Sequence, residues 1–448
     1  MTTLEHYRKN IQLAWPVMLG QLGHVLVGLA DSIMVGQLGT IPLAAGAFAN
    51  AIFNMLMVFG IGMAIGLTTP IANADGENKP EKAANYLKHG LVTNMLTALI
   101  LFLVIATVSF FTDRMGQEPQ VVEQSSSYLL IITSSIFPLM LFLTFKQFAE
   151  GLSDTRFAMV ASLGANLLNI FLNYLLIFGH WGFPFLGLDG AGYATLIARV
   201  IMALAMFLYV FRSKKFRTHL ANWMELQWKR SYFKKLLSLG IPSGLQYIFE
   251  VSSFAVAAII VGQINAEALA AHQIAISLAS LSYMAASGLG SAATVRVGNQ
   301  LGRRDIYSMR KAGHTNFILA LGFMLFCGLL FYLGRSWFPT LYTDDLRVQY
   351  LASQLLIVAV IFQLSDGLQV TALGALRGMS EVKVPVLITF IAYWLVGVGA
   401  AYSLGIIFEF GPLGVWYGLA LGLTVAAVLL FLRFEWKSKK LLHEFTAD

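Results

Sequence analysis

The sequence predicts an all-α membrane protein with twelve transmembrane helices, arranged as two six-helix bundles related by a parallel pseudo-two-fold repeat. Three features predict this fold: an apolar composition, long apolar segments that recur along the chain, and an internal duplication. Apolar residues make up 57% of the 448 residues and charged residues only 12%. A soluble domain is roughly 45–50% apolar and about 25% charged, so this chain has too few charges for a water-soluble surface.

Apolar segments long enough to cross a hydrocarbon core of about 30 Å recur twelve times. Several exceed the roughly 20 residues that a span needs, so we expect tilted, kinked or protruding helices. The first segment follows two basic residues, as in a signal peptide, but it is too long for one and lacks a small-residue cleavage site, so we expect it to be retained. The predicted spans are 11–37, 43–72, 87–111, 122–150, 156–180, 187–211, 236–262, 268–299, 309–333, 345–376, 383–407 and 412–435.

Basic residues alternate between successive connections. Residues 212–235 carry eight Lys and Arg against the single acid Glu225, and further basic clusters follow predicted spans eight and twelve, whereas the connections after spans one, five and seven carry none. This positive-inside pattern predicts that both termini lie in the cytoplasm. The net charge of +7 therefore orients the chain and attracts anionic lipid headgroups, and we expect no nucleic-acid partner.

The chain contains an internal duplication with a shift of 226 residues. VGQLGTIPLAA (35–45) aligns with VGQINAEALAA (261–271), and EGLSDTR (150–156) meets RGMSEVK (377–383) after a one-residue gap. We therefore predict an N-terminal lobe at 1–211, a basic cytoplasmic linker at 212–235 and a C-terminal lobe at 236–448. Six spans per lobe make the repeat parallel, which is typical of transporters with a site between the halves near the midplane. The alternative is that the repeat reflects architectural ancestry alone.

Buried carboxylates break the repeat. Asp31 aligns with Ala257, Glu250 aligns with His24, and Asp366 falls near Leu139. An aspartate near the middle of a span costs roughly 2.5–3.5 kcal/mol on insertion scales, so each of these acids is a functional candidate. We predict that each lobe carries its own cation-coupling chemistry, with Asp31 in the first lobe and the pair Glu250 and Asp366 in the second.

Predicted span five carries three asparagines, Asn166, Asn169 and Asn173, spaced i, i+3 and i+7 on one helical face. With Asp31 and Thr195 of span six, these amides are predicted to form a hydrogen-bonded carboxylate site. The alternative is that the asparagines only hold span five to its neighbours.

In the second lobe, Glu250 lies in span seven and Asp366 in span ten, with Gln363 about one turn before Asp366. If these spans pack together, the two carboxylates cannot both stay charged without a counter-ion. Either one holds a proton or a monovalent cation binds between Glu250 and Asp366. The alternative is a fixed buried network without a transport role.

Two other residues limit the possible chemistry. Cys327 is the single cysteine and lies inside a predicted span, so the chain has no intrachain disulfide and no cysteine metal cluster. We expect no cofactor other than a coupling ion, Na⁺ or H⁺. Arg199 lies midway along span six and needs a partner, for which Asp31 or a group of backbone carbonyls is the hypothesis.

Several motifs together resemble the multidrug and toxic compound extrusion (MATE) transporters, especially the NorM-type branch. They are AWPVMLGQLG followed by ADSIMVGQLG, the EGLSDTR segment, and IPSGLQYIFE at the start of the second half. The resemblance implies a V-shaped pair of six-helix bundles in a bacterial inner membrane, which exports cationic and amphipathic drugs in exchange for Na⁺ or H⁺. It also implies that Asp31 is the family's acid in span one, with Asn169 and Asn173 as its polar partners.

The resemblance further implies that Glu250 and Asp366 are the second-lobe acids associated with cation binding. Some relatives have an aspartate where Asn173 stands, which weakens a proton mechanism confined to the first lobe. We expect the protein to act as a monomer.

Three rival functions fit the residues less well. A flippase for lipid-linked sugars, which has a related fold, needs several deep basic residues for a pyrophosphate, and here Arg199 is nearly alone at depth. An intramembrane enzyme lacks support, because no GxGD or HExxH motif is present. A channel is disfavoured because nothing resembles a selectivity filter.

Overall fold

The computed structural model describes residues 2–447, with side chains through Phe445, and nearly all of this part of the chain is helical. Twelve helical spans within it are long and apolar enough to cross a membrane, which confirms the predicted number. The spans, numbered in chain order, are Thr3–Gly36, Thr40–Gly76, Pro80–Ser109, Pro119–Gly151, Arg156–Phe178, Gly187–Arg212, Arg230–Gly262, Ala266–Gly302, Ile306–Gly334, Leu346–Gly378, Lys383–Ile407 and Gly411–Phe445.

Three spans are interrupted. Span 2 consists of the helices Thr40–Ile65 and Thr68–Gly76, and span 4 breaks at Ser135. In span 11, the segments Ile391–Val398 and Ser403–Ile407 are π-helical. Hydropathy alone predicts none of these breaks, because all the residues involved remain apolar or small.

Packing divides the chain into two compact units. One unit is Leu19–Gly244, and the other joins the residues up to Met18 with those from Leu245 onward. Met18 and Gly244 are separated by 226 residues, the same offset as the sequence repeat, and each follows a helix-interior proline by two residues. Spans 1 and 7 are therefore each shared between the units at equivalent positions. The predicted lobes 1–211 and 236–448 stay a prediction about the functional halves.

In the unit Leu19–Gly244, the start of span 7 packs against the end of the first helix of span 2 through glycine pairs. A Cβ on Gly62 would stand 2.5 Å from the Gly244 Cα, and a Cβ on Gly66 would stand 2.7 Å from the Gly240 Cα. Small residues let helix backbones approach this closely.

The basic linker is an ordered part of the same unit and is fastened to span 3 at His89. The His89 Nε2 atom accepts a hydrogen bond of 2.9 Å from the Lys229 backbone N–H, and Nδ1 lies 2.7 Å from the Asn85 carbonyl oxygen. Since Nε2 accepts, the proton is on Nδ1 and is donated to Asn85. The rings of Trp228 and Phe233 pack around the imidazole.

In the second unit, the start of span 1 packs on spans 8 and 9. The Asn10 amide donates to the Thr315 hydroxyl at 2.8 Å and to the Ala312 carbonyl at 3.3 Å. A Cβ on Gly288 would stand 2.5 Å from Met18 Cγ. Gly288 and Met18 are the repeat counterparts of the Gly62 and Gly244 pair, so the same close helix contact is built twice.

The duplicated motif EGLSDTR forms the same kind of helix end in both halves. Ser153 and Ser380 each adopt a left-handed backbone conformation, with φ of 62° and 59°. The acid that follows is bonded to the last span of its own half: Asp154 accepts from the Tyr209 hydroxyl at 2.7 Å, and Glu381 pairs with Arg433 at 3.2 Å. These acids therefore fix a loop to a helix.

Candidate functional site

The first-lobe acid lies in a network of amides. The Asn173 side-chain nitrogen donates to Asp31 Oδ1 at 2.5 Å. The Asn169 amide can form its hydrogen bonds when its nitrogen faces Asp31 and its oxygen faces Thr195. In this orientation the nitrogen lies 2.8 Å from the same carboxylate oxygen, and the oxygen accepts from the Thr195 N–H and hydroxyl, each at 3.2 Å. Spans 1, 5 and 6 thus bring together Asp31, Asn169, Asn173 and Thr195. Donors aimed at one oxygen favour the ionised carboxylate.

Asn166 lies outside this network, although it shares a helix face with the other two asparagines. Its side-chain nitrogen is buried without a hydrogen-bond partner. A Cβ added to Gly23 would stand 3.1 Å from that nitrogen, so the amide faces span 1 two turns before Asp31. Its role as a partner of the coupling acid stays a prediction.

Arg199 is held by the break in span 4. Its Nη1 donates to the Ser135 hydroxyl at 2.5 Å, and its guanidinium lies 5.2 Å from the centre of the Phe53 ring. Ser135 is therefore a hydrogen-bond partner of Arg199, one that the sequence hypothesis of Asp31 or backbone carbonyls did not include. The charge of Asp31 still acts on the guanidinium through space. A sequence pattern does not reveal this partner, because it depends on the helix break at Ser135.

The second unit holds the other two acids, both buried: Glu250 of span 7 is 5% exposed and Asp366 of span 10 is 4% exposed. The charge of Glu250 acts on Asp366. One turn before Asp366, the Gln363 amide nitrogen donates to the Ser282 hydroxyl of span 8 at 2.6 Å. Tyr283, the next residue of span 8, places its hydroxyl beside the Glu250 carboxylate. Spans 7, 8 and 10 therefore assemble this site.

Aromatic contacts fix the positions of the surrounding spans. Phe249, next to Glu250, packs on Phe390 of span 11 with ring centres 5.0 Å apart. Phe254 packs on Phe362 of span 10 at 6.5 Å. Four residues before Glu250, the Gln246 side-chain oxygen accepts from Arg377 Nη2 at 2.7 Å.

Six buried side-chain oxygens in the described part of this unit have no hydrogen-bond partner. Three of them are Glu250 Oε2, Gln363 Oε1 and the Tyr393 hydroxyl, and the other three belong to Asn10, Asn316 and Gln369. Buried polar groups are normally paired, so such atoms indicate where an ion or water binds. Carboxylate, amide and hydroxyl oxygens are the ligands that hard cations prefer. Among the described residues, no cluster of three or more His, Cys, Asp or Glu side chains is present to hold a metal. A cation at this pair would therefore need neutral oxygens as well.

A comparison with protein families decides the classification. The family model described as MatE matches residues 16–175 and 242–403, and the two matches begin one repeat offset apart. The chain belongs to the MATE family.

Curated relatives extend over nearly the whole chain. "Multidrug resistance protein NorM" of Photobacterium profundum is 34% identical over 435 residues, which are 96% of this chain and 95% of the relative. The protein of the same name from Aliivibrio fischeri is 33% identical over 445 residues, which are 97% and 96% of the two chains. The resemblance to the NorM-type branch of the MATE family is confirmed.

Solved MATE structures share the fold. The eukaryotic MATE transporter AtDTX14 superposes with a TM-score of 0.87 at 21% identity, covering 99% of both chains. An outward-facing multidrug resistance MATE family transporter of the MOP superfamily gives 0.88 at 22% identity, covering 98% of this chain and 97% of the other. Twelve apolar spans and bacterial NorM relatives make this MATE-family protein a multi-pass inner-membrane protein.

Sequence reasoning missed two hydroxyls of the second site, those of Tyr283 and Tyr393. A tyrosine in an apolar span carries little signal, because its ring packs readily in a core and its hydroxyl usually finds a local partner. The distinguishing feature of Tyr393, a buried hydroxyl without a partner, appears only in three dimensions.

Proposed function

We propose that this MATE-family protein is a secondary active multidrug efflux antiporter, which exports organic cations and amphipathic toxic compounds in exchange for Na⁺ or H⁺ by alternating access. Two curated relatives bear the name multidrug resistance protein. The observation that carries the proposal is the pair of acid sites within the apolar spans. Asp31 is half-buried in one unit, Glu250 and Asp366 are buried in the other, and binding or release of a cation changes the net charge of each site.

At Asp31, the coupling step is a competition between a cation and amide donors. Asn169 and Asn173 both donate toward Oδ1, and these hydrogen bonds favour the ionised carboxylate. An ion or proton that neutralises Asp31 weakens its attraction for a cationic drug, and the drug is then released.

At Glu250 and Asp366, the coupling step is the sharing of one positive charge. Two carboxylates in a low-dielectric interior cannot both stay ionised alone. Binding of H⁺ or a monovalent cation removes this repulsion, and its departure restores the negative charge that attracts cationic cargo.

The remaining assignments complete the proposal. Both termini lie in the cytoplasm, the lobes 1–211 and 236–448 are the functional halves, and residues 212–235 connect them. The protein works as a monomer in contact with anionic lipids. It has no enzymatic activity, no nucleic-acid partner and no cofactor apart from the coupling ion.

The test is efflux of the fluorescent cation ethidium from proteoliposomes under an imposed Na⁺ or H⁺ gradient. Wild type is compared with Asp31→Asn, Glu250→Gln and Asp366→Asn, each checked for folding by size-exclusion chromatography. Drug movement driven by one gradient and lost in the variants supports cation-coupled antiport. Absence of movement under either gradient in folded protein would instead favour a lipid-linked sugar flippase.

A further inference from the structure

We propose that the hydroxyl oxygen of Tyr393, together with the side-chain carbonyl oxygen of Gln363, is a ligand of a monovalent metal cation bound at Glu250 and Asp366. The inference deepens the proposed function, since it rests on this acid pair being the coupling site. It assigns neutral oxygens of spans 10 and 11 to the ion.

The π-helical segment Ile391–Val398 sets the position of Tyr393. π-Helical turns are rare and are frequently found at functional sites. Span 12 supports this geometry from outside: a Cβ on Gly422 would stand 2.7 Å from the Gly397 Cα. The tyrosine itself is 3% exposed and belongs to the buried cluster that contains Phe362 and Trp416.

The Tyr393 hydroxyl lies close to the acid pair. The carboxylates of Glu250 and Asp366 are the two charged groups that act on its phenol. Phe249 and Phe390, three residues before Tyr393, pack at 5.0 Å, so span 11 runs directly beside the part of span 7 that carries Glu250. Phe362, which is adjacent to Gln363, shares a buried cluster with Tyr393.

The unpartnered atoms point to a metal cation rather than to a proton. A proton on one carboxylate satisfies one or two oxygens. Among the buried oxygens without a partner in this unit are those of three different groups, Glu250 Oε2, Gln363 Oε1 and the Tyr393 hydroxyl. The Gln363 nitrogen is already committed to Ser282, which fixes the direction of its oxygen. A dehydrated cation needs several oxygen ligands at once, and only a few of them have to be charged.

The experiment measures Na⁺ binding to purified protein by equilibrium binding of radioactive Na⁺, alongside the efflux assay. Tyr393→Phe removes the hydroxyl and keeps the ring, and we expect it to weaken Na⁺ binding by roughly tenfold or more, as losses around a metal site do. Tyr402→Phe, in the same span but 46% exposed, is the matched control and should bind as wild type does.

The outcomes separate the inference from the proposed function. Unchanged Na⁺ binding by Tyr393→Phe overturns the inference and leaves antiport intact. Wild type that binds no Na⁺, yet exports drug under a proton gradient, also overturns the inference alone. If Tyr393→Phe fails to fold, Gln363→Met decides, since it removes the other neutral oxygen and is expected to weaken Na⁺ binding to a similar extent.

Discussion

The Asn173 amide lies 2.5 Å from the Asp31 carboxylate, whereas Asn166, on the same face of span 5, makes no bond to it. A hydrogen bond to a charged group contributes about 1.5–3 kcal/mol. We therefore expect Asn173→Ala to lower gradient-driven ethidium efflux by roughly tenfold or more, and Asn166→Ala to have a much smaller effect. Initial efflux rates in proteoliposomes measure both. Equal losses in the two variants would show that the amide stripe acts as a general polar wall.

The glycine contact between spans 2 and 7 predicts that a larger residue at Gly62 destabilises the protein. A Cβ on Gly62 meets the Gly244 backbone at 2.5 Å, where no side chain can rotate away. Overpacking typically costs about 1–3 kcal/mol, so Gly62→Ala is expected to lower the melting temperature of the purified protein. Gly164→Ala, with nothing within 4 Å of its new Cβ, is the control and should be neutral or stabilising. A Gly62→Ala protein as stable as wild type would contradict the close approach.

The hydrogen bond between His89 and the linker predicts that substitution of His89 loosens the linker locally. His89→Phe keeps a ring among the surrounding aromatic side chains but removes both hydrogen bonds, each worth about 0.5–1.5 kcal/mol. We expect backbone amide exchange to become roughly tenfold faster around residues 226–230 and to stay unchanged in span 5. His180→Phe, in an exposed connection, is the control. Protection equal to wild type would mean that packing alone holds the linker.

Glu77, between spans 2 and 3, predicts a pH dependence of stability. Burial raises the pKa of its carboxyl, but hydrogen bonds and charges of Lys82 and Lys79 outweigh burial and hold that pKa below its usual value of 4.5. A group with a lowered pKa in the folded state stabilises the protein above its unfolded pKa, and this contribution is lost as the pH falls through the folded value.

Glu77→Gln should therefore lower the melting temperature at about pH 7, and the difference from wild type should shrink as the pH falls below about 4. Melting curves of both proteins across this range provide the measurement, with the exposed Glu123→Gln as control. A difference that stays constant with pH would assign the effect to lost packing.

Prediction from the sequence succeeded where a local pattern carries the information. The twelve spans follow from hydropathy, and the pairing of Asp31 with Asn169 and Asn173 follows from helical spacing. The role of Asn166 stays a prediction, because spacing gives the helix face but not the height along the helix. Seven residues at a rise of 1.5 Å put this amide about 10 Å from Asn173 along the axis.

Other parts of the site depend on departures from regular helix geometry. Arg199 finds Ser135 because span 4 breaks there, and Tyr393 lies beside the acid pair in a π-helical segment. Apolar segments with and without such irregularities have the same composition. These neighbours are therefore determined by tertiary packing of glycines and aromatic rings, which a linear pattern does not report.

Spans 1 and 7 are divided between the two units at Met18 and Gly244, and this division constrains the order in which the native contacts form. Met18 and Asn10 of span 1 contact Gly288 and Thr315, which are synthesised some 270 to 300 residues later. At the equivalent position of the repeat, the start of span 7 packs against Gly62 of span 2 through Gly244. The native packing of Asn10 can therefore form only after Thr315 has been made, and that of Gly62 only after Gly244 has been made, so each unit is completed by a segment from the other half of the sequence.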